Sequence, residues 1–207
     1  MSVASRFLKN IDLVEKVLLI VLYGYLASQV VQSTMVDFRV VNIWYLADHG
    51  IILSFILFRR PTQDISHRAR DWGVAFVATG LPMFVTPAGS YALASPAVYG
   101  ALMLAGITLH FSAKLSLRRS FGVVAANRGV MSAGAYRLIR HPMYAGYMLR
   151  EVGFLLAAPG VWNAAVICAA MGLYVFRLLA EERVLSTDPS YRELMARTPY
   201  RLVPGIF

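Results

Sequence analysis

The polar residues that could carry out chemistry in this chain form two short groups, one on each side of an apolar hairpin. The first group is Arg140-His141-Pro142-Met143-Tyr144-Ala145-Gly146, where a basic loop runs into an apolar segment. A proline at this point is typical of the first turn of a helix. The second group is Arg177, Glu181 and Glu182, near the end of the next apolar segment. Because residues i and i+4 share a helix face, Arg177 and Glu181 place a cation and an anion in the same direction.

These two groups predict a site for a small zwitterion. The N-terminus of a helix carries a partial positive charge, which suits a carboxylate or a phosphate. The Glu181 and Glu182 carboxylates suit an ammonium or another cation, since charge-assisted hydrogen bonds are strong. No metal site is predicted, because the other histidines and the single cysteine lack ligand spacing.

Composition indicates that the elements positioning these groups lie in a membrane. The chain of 207 residues is 58% hydrophobic and only 15% charged, which is too apolar for a soluble domain of this length. The third of the apolar segments is interrupted by Gly80, Pro82 and Pro87, so a re-entrant helix there would leave five spans. We predict an all-α polytopic transmembrane bundle with about six spans, at residues 12–36, 43–58, 72–85, 97–113, 144–158 and 161–180.

We interpret residues 1–207 as one integral-membrane domain. Its N-terminal helices occupy 12–113, and a loop, a helical hairpin and a tail over 114–207 carry the polar motifs. Almost all loop Lys and Arg residues fall on one side, which places both termini and the motifs in the cytoplasm. The Pro159-Gly160 turn is so short that both motifs emerge at the same face. The net charge of +9 does not indicate nucleic acid, because the basic residues form no continuous face.

The motifs resemble those of the isoprenylcysteine carboxyl methyltransferase and phospholipid methyltransferase group of integral-membrane enzymes. The resemblance covers about the C-terminal third of the chain in motif detail. It rests on Arg140-His141-Pro142-x-Tyr144-x-Gly146, on Arg177-x-x-x-Glu181-Glu182, on Tyr191, and on a closing Arg201-Leu202-x-Pro204-Gly205-Ile206.

The resemblance implies S-adenosylmethionine as the cofactor, bound at the cytoplasmic membrane face. Arg177 and Glu181 would carry the catalytic role, with Arg177 facing the acceptor. The acceptor would be lipophilic: a prenylcysteine carboxylate, a lipid or another membrane-soluble small molecule that enters from the bilayer. Membrane lipids would surround the protein, and its oligomeric state is not specified. The cofactor residues implied in this way are His141, Tyr144, Gly146, Glu181, Glu182, Tyr191 and Arg201.

This chain departs from the family pattern in several places, one of which is that no second tyrosine follows shortly after Tyr191 in the tail. Asp188-Pro189 stands in the tail where a Phe-Gly is usual, and Arg150 and Glu151 lie inside the fifth predicted span. Charges at that depth mark a function or an internal pair. Because neighbouring side chains on a helix point in different directions, pairing with other helices and a catalytic role both stay open for them. Tyr147 and Tyr174 are interpreted as interfacial belt residues.

Two other functions stay open from the sequence. Related membrane folds include nicotinamide-dependent reductases of the sterol reductase type, which a cofactor competition would separate. A non-enzymatic membrane adaptor or transport subunit is the other, with a polar path formed by Asp48, His49, Arg150 and Glu151.

Overall fold

The regular structure of the chain is helical throughout the part that the structure describes. This computed structural model describes residues 3–36, 40–62, 64–86 and 91–207, and the side chains of Asp48 and His49 lie outside the description. Each of the six predicted segments overlaps a helix, which confirms the all-α class; a seventh helix in the tail was not predicted. The helices are α1 Val3–Val36, α2 Val40–Phe58, α3 Ala69–Gly80, α4 Pro96–Leu117, α5 Pro142–Ala157, α6 Val161–Leu185 and α7 Pro189–Arg197.

Three helical segments within the described ranges are long and apolar enough to cross a membrane. They are Ile11–Val36, Pro96–Ser120 and Val161–Leu185. α3 has 12 residues and α5 has 16. At 1.5 Å per residue these two helices rise only about 18 and 24 Å, less than the roughly 30 Å hydrocarbon core. The chain is therefore a membrane protein by its helices, while the count of six spans stays a prediction.

The first helix of the hairpin, α5, packs closely on α4 through glycine. A Cβ atom on Gly106 would lie 2.5 Å from the Arg150 backbone nitrogen, and one on Gly146 would lie 2.7 Å from the Gly106 carbonyl oxygen. A Cβ on Gly153 would meet the Tyr99 carbonyl oxygen at 2.9 Å. Side chains larger than hydrogen cannot occupy these positions without moving the backbone, so the glycines set the helix spacing. The predicted division between the N-terminal helices (12–113) and the motif region (114–207) falls inside α4, which packs along α5.

α3 runs antiparallel to α6 and is attached at both ends. Arg183 near the end of α6 approaches Asp71 in the first turn of α3, with 3.1 Å between Nη1 and Oδ2. At the other end, the Asn163 amide oxygen accepts the backbone N–H of Thr86 at 3.0 Å. The middle of α6 therefore lies against α3, and the polar residues of α6 face into the bundle.

A buried cluster of four charges, the ionic quartet, fastens α1 to the loop between α4 and α5. Asp12 and Glu15 of α1 face Arg59 and Arg128, with closest N–O distances of 2.6 to 2.9 Å. Glu15 is fully buried. Its Oε1 atom also accepts two consecutive backbone N–H groups of the loop, at 2.8 and 3.0 Å. Two carboxylates balance two guanidinium groups, so no charge is left uncompensated in the cluster.

Candidate functional site

The beginning of α5 and the end of α6 meet at one end of the bundle. His141, the residue before α5, has its Nε2 atom 3.2 Å from Oε1 of Glu182. One turn into α5, the Tyr144 hydroxyl donates a hydrogen bond to the Glu181 carboxylate. The predicted meeting of the two motif groups is therefore confirmed.

Glu182 is the hub of this junction. Its Oε1 atom accepts the Nε–H of Arg140 at 2.9 Å, and its Oε2 atom accepts the Nε–H of Arg201 at 2.9 Å. The Tyr191 hydroxyl lies 3.5 Å from Oε1. Burial raises the pKa of Tyr191, so its hydroxyl stays protonated and donates. Both oxygens of Glu182 are already engaged, which gives it and Arg201 a positioning role; their direct contact with a cofactor stays a prediction.

The tail is attached to the same junction through its backbone. The Arg140 guanidinium donates from Nη1 to the carbonyl oxygens of Thr198 and Pro199, at 2.9 and 2.7 Å. The backbone N–H groups of Arg140 and His141 donate to the carbonyl oxygens of residues 200 and 201, both at 2.9 Å. The segment after α7 is thereby held beside the start of α5.

The Asp188-Pro189 departure from the family pattern starts α7. Asp188 is the N-cap, and its Oδ1 atom accepts the Ser190 backbone N–H at 2.9 Å. Proline follows at the first helical position, where a missing N–H costs nothing. The Asn127 side chain donates to Oδ2 of Asp188 at 2.9 Å. Hydrogen bonds from Ser190 and Asn127 hold the pKa of Asp188 below its usual range.

Glu181 lies in a compact group of a cation, an anion and aromatic rings, which we call the Glu181 cluster: Tyr144, Arg177, Glu181 and His141. The Arg177 Nε atom is 3.8 Å from Oε1 of Glu181, which confirms the predicted i, i+4 relationship. The Arg177 guanidinium carbon lies 5.5 Å from the centre of the Tyr144 ring. His141 Nδ1 is 3.9 Å from Oε2 of Glu181. One-fifth of the Glu181 side chain is exposed, whereas Tyr144 and Arg177 are buried.

The Glu181 cluster stands between two cavities. The first, the loop-side cavity, encloses about 80 Å³ between the α4–α5 loop, the start of α5, the end of α6 and α7. Gly146 does not line it: it lies against α4. Arg128 and Tyr136 were missed by the sequence interpretation; Arg128 was counted only as a loop cation, and nothing in the sequence singles out Tyr136. Polar and aromatic residues on the wall of this cavity are Arg128, Tyr136, Arg140, His141, Tyr144, Glu181 and Tyr191.

The second cavity, the bundle cavity, encloses about 320 Å³ in the interior of the helices. Arg177 lines it, together with Arg150 and Glu151 of α5. Nη2 of Arg150 lies 3.6 Å from Oε1 of Glu151, so the expectation that these neighbours diverge is wrong for their charged ends. Both side chains are long enough to bend into the same cavity.

The interpretation of Tyr147 and Tyr174 as belt residues is also wrong. Tyr174 is 2% exposed, and its hydroxyl donates to Oε1 of Glu151 at 2.7 Å. The Tyr147 ring packs on His110 of α4, with 4.4 Å between ring centres. Both rings line the bundle cavity, Tyr147 beside α4 and Tyr174 beside α5.

Within the described ranges, no group of three or more His, Cys, Asp or Glu side chains is placed so that it could hold a metal ion.

Residues 99–187 match the family model described as isoprenylcysteine carboxyl methyltransferase (ICMT). No curated protein is similar enough to the chain to count as a match. The matched segment contains most of α4, all of α5 and α6, and every member of the Glu181 cluster. Over residues 99–187, the chain is therefore similar to the isoprenylcysteine carboxyl methyltransferase family.

Proposed function

We propose that this protein transfers a methyl group from S-adenosylmethionine to a lipophilic acceptor. The match of residues 99–187 to the isoprenylcysteine carboxyl methyltransferase family model supports methyl transfer. The observation that carries the rest is the position of the Glu181 cluster: Tyr144 and Glu181 line the loop-side cavity, and Arg177, in contact with both, lines the bundle cavity. A polar cofactor on one side and an apolar acceptor on the other would meet at these three side chains.

The side chains of the loop-side cavity fit the chemistry of the cofactor. S-adenosylmethionine carries a sulfonium and an ammonium cation, which suit the Glu181 carboxylate on the wall of this cavity. The enclosed volume of about 80 Å³ is below the roughly 300 to 1,000 Å³ of small-molecule sites. The whole cofactor would therefore extend beyond this cavity.

When bound, the cofactor supplies a methyl group on a positively charged sulfur. Its transfer is an in-line displacement, which depends on placement of the two reacting atoms. Tyr144 and His141 orient Glu181, and Glu181 in turn orients Arg177. Arg177 then holds the electron-rich atom of the acceptor from the bundle side. Tyr144 is 1% and Arg177 is 5% exposed, so bulk solvent has little access to these two side chains.

Calorimetry in detergent measures the binding of S-adenosylhomocysteine and so tests the proposed cofactor site. The wild-type protein should bind it, and Glu181→Gln should bind at least about tenfold more weakly, as expected for a lost hydrogen bond to a charged group. Glu193→Gln is the matched control, because Glu193 is an exposed carboxylate on α7. Arg177→Ala should keep binding and lose turnover, read as methyl-sized mass shifts in lipid extracts. A folded wild-type preparation that does not bind contradicts the proposal.

The placement of the site at the cytoplasmic face is a proposal supported by the distribution of basic residues. It can be tested with one engineered cysteine. In a Cys168→Ser background, Arg197→Cys should react with a membrane-impermeant maleimide only after cells are opened, because the Arg197 side chain is exposed on α7. Reaction in intact cells would place the tail, and with it the site, on the outside.

A further inference from the structure

The bundle cavity is more polar than a hydrocarbon chain requires. Among the described residues, three buried side-chain atoms on its wall have no hydrogen-bond partner: Nε2 of His110, Oε2 of Glu151 and Nε of Arg177. These residues are only 4 to 5% exposed. A buried polar atom without a partner is costly, and such atoms are rare in folded proteins. Three such atoms on the wall of one cavity indicate a ligand that supplies the partners.

The unpartnered Oε2 atom of Glu151 requires a hydrogen-bond donor. Oε1 of Glu151 accepts the Tyr174 hydroxyl at 2.7 Å and lies 3.6 Å from Nη2 of Arg150. The Tyr174 hydroxyl and the Arg150 guanidinium both face Oε1, so the second oxygen of the Glu151 carboxylate, Oε2, is left as an acceptor. The ligand must therefore carry an N–H or O–H group at this point.

Glu151 lies deeper in the bundle than Arg177. Its partner Tyr174 comes three residues before Arg177 on α6, which corresponds to about 4.5 Å along the helix axis. Arg177 offers a donor, and Glu151 offers an acceptor about one turn further in. A ligand with an electron-rich atom at Arg177 would place its next polar group within reach of Glu151.

The charge of the cavity selects between the possible donors. The Glu151 carboxylate already has one cation beside it, because Nη2 of Arg150 lies 3.6 Å from its Oε1 atom. An ammonium group would add a further positive charge to this wall. A neutral hydroxyl supplies the donor without adding a charge.

We infer that the methyl acceptor is a hydroxyl-bearing amphiphile, whose hydroxyl donates to Glu151 about one helical turn deeper than the atom that takes the methyl group. The inference rests on the proposed function for the identity of the ligand as acceptor. The hydroxyl site itself rests on the Glu151 geometry alone.

Photoaffinity labelling of the full-length protein in detergent tests the hydroxyl site without turnover. The probes are three diazirine-bearing C12 chains that end in an alcohol, a methyl ether or an amine. Labelled peptides from α4, α5 and α6 are quantified by mass spectrometry over a range of probe concentrations. The alcohol should label the cavity at concentrations at least about tenfold below those of the ether and the amine. Glu151→Met should abolish this preference, and Glu193→Met, the same change on exposed α7, should keep it.

Equal labelling by alcohol and ether, preference for the amine, no cavity labelling, or a preference that survives in Glu151→Met overturns the inference. The comparison of probes on the wild-type protein stands even if Glu151→Met does not fold. S-adenosylhomocysteine calorimetry on the same preparations separates the two proposals. A hydroxyl preference without cofactor binding overturns the proposed function and leaves the site, whereas cofactor binding without the preference overturns only the inference about the acceptor.

Discussion

Removing the charge of Glu182 should loosen the junction of α5, α6 and the tail. In Glu182→Gln, the amide oxygen can replace Oε1 and keep the Arg140 contact at 2.9 Å. The amide nitrogen then replaces Oε2 and faces Arg201, donor against donor. Arg140 also loses its counter-ion while it stays buried, with 4% of its side chain exposed.

The magnitude follows from these contacts. A hydrogen bond between charged groups contributes about 1.5 to 3 kcal/mol, and breaking a buried ion pair costs about 3 to 5 kcal/mol. Arg140 retains two carbonyl acceptors in the tail, and Arg201 can turn to solvent, so we expect about 3 kcal/mol. For a chain of this length that corresponds to a fall in Tm of roughly 6 to 12 °C.

Tryptophan fluorescence during heating in detergent measures the change, and calorimetry with S-adenosylhomocysteine measures its effect on the site. Glu193→Gln should change Tm by little, because exposed substitutions cost within about 0.5 kcal/mol. The double variant Arg140→Met/Glu182→Met should cost less than the sum of the single variants, since it leaves no unpaired buried charge. If Glu182→Gln unfolds at the same temperature as Glu193→Gln, the reasoning about the hub is refuted.

Three further substitutions test the supports of the site. Glu15→Gln should lower the free energy of unfolding by about 3 kcal/mol, because it leaves two buried guanidinium groups with one carboxylate; denaturant titration measures this. Gly146→Ala should cost about 1 to 3 kcal/mol, because its Cβ would lie 2.7 Å from two backbone atoms of α4. Asp188→Ala should cost about 1 kcal/mol as a lost N-cap. Since the pKa of Asp188 is lowered in the folded protein, its contribution is present above about pH 4 and lost as the pH falls through the folded pKa.

A different result would contradict each of these three predictions. Gly172→Ala is the control for Gly146→Ala, because a Cβ on Gly172 meets no atom within 4 Å, and equal unfolding of the two variants would mean that close packing on α4 is unimportant. A Glu15→Gln protein as stable as wild type would show that the ionic quartet does not hold the loop. A difference between Asp188→Ala and wild type that grows below pH 4 would have the wrong sign.

The parts of the site that the sequence predicts are those governed by local spacing. The i, i+4 rule places Arg177 beside Glu181, and the two-residue turn at Pro159-Gly160 forces the start of α5 to the end of α6. α7 also had a readable signal, because Asp188 followed by Pro189 is a common helix start. It was overlooked because the tail is too polar to resemble the other helices.

The parts that the sequence does not predict depend on which way a helix faces. Tyr174 lies where a belt residue is common, but belt enrichment concerns depth in the membrane and carries no information on facing direction. Arg150 and Glu151 diverge at their Cβ atoms, yet long side chains can bring their charged ends together. The ionic quartet joins residues more than 100 positions apart, for example Glu15 and Arg128 at a separation of 113, which no local pattern reveals.

The ionic quartet also sets an order of events while the chain is being made. At about 5 to 20 residues per second, the ribosome adds Arg128 roughly 6 to 23 s after Glu15, given their separation of 113 residues. Within the quartet, Arg59 is added 44 residues after Glu15, and Arg128 follows only at the end of that interval. The contact between α1 and the loop that carries Arg128 is therefore completed only after the chain has been extended past residue 128.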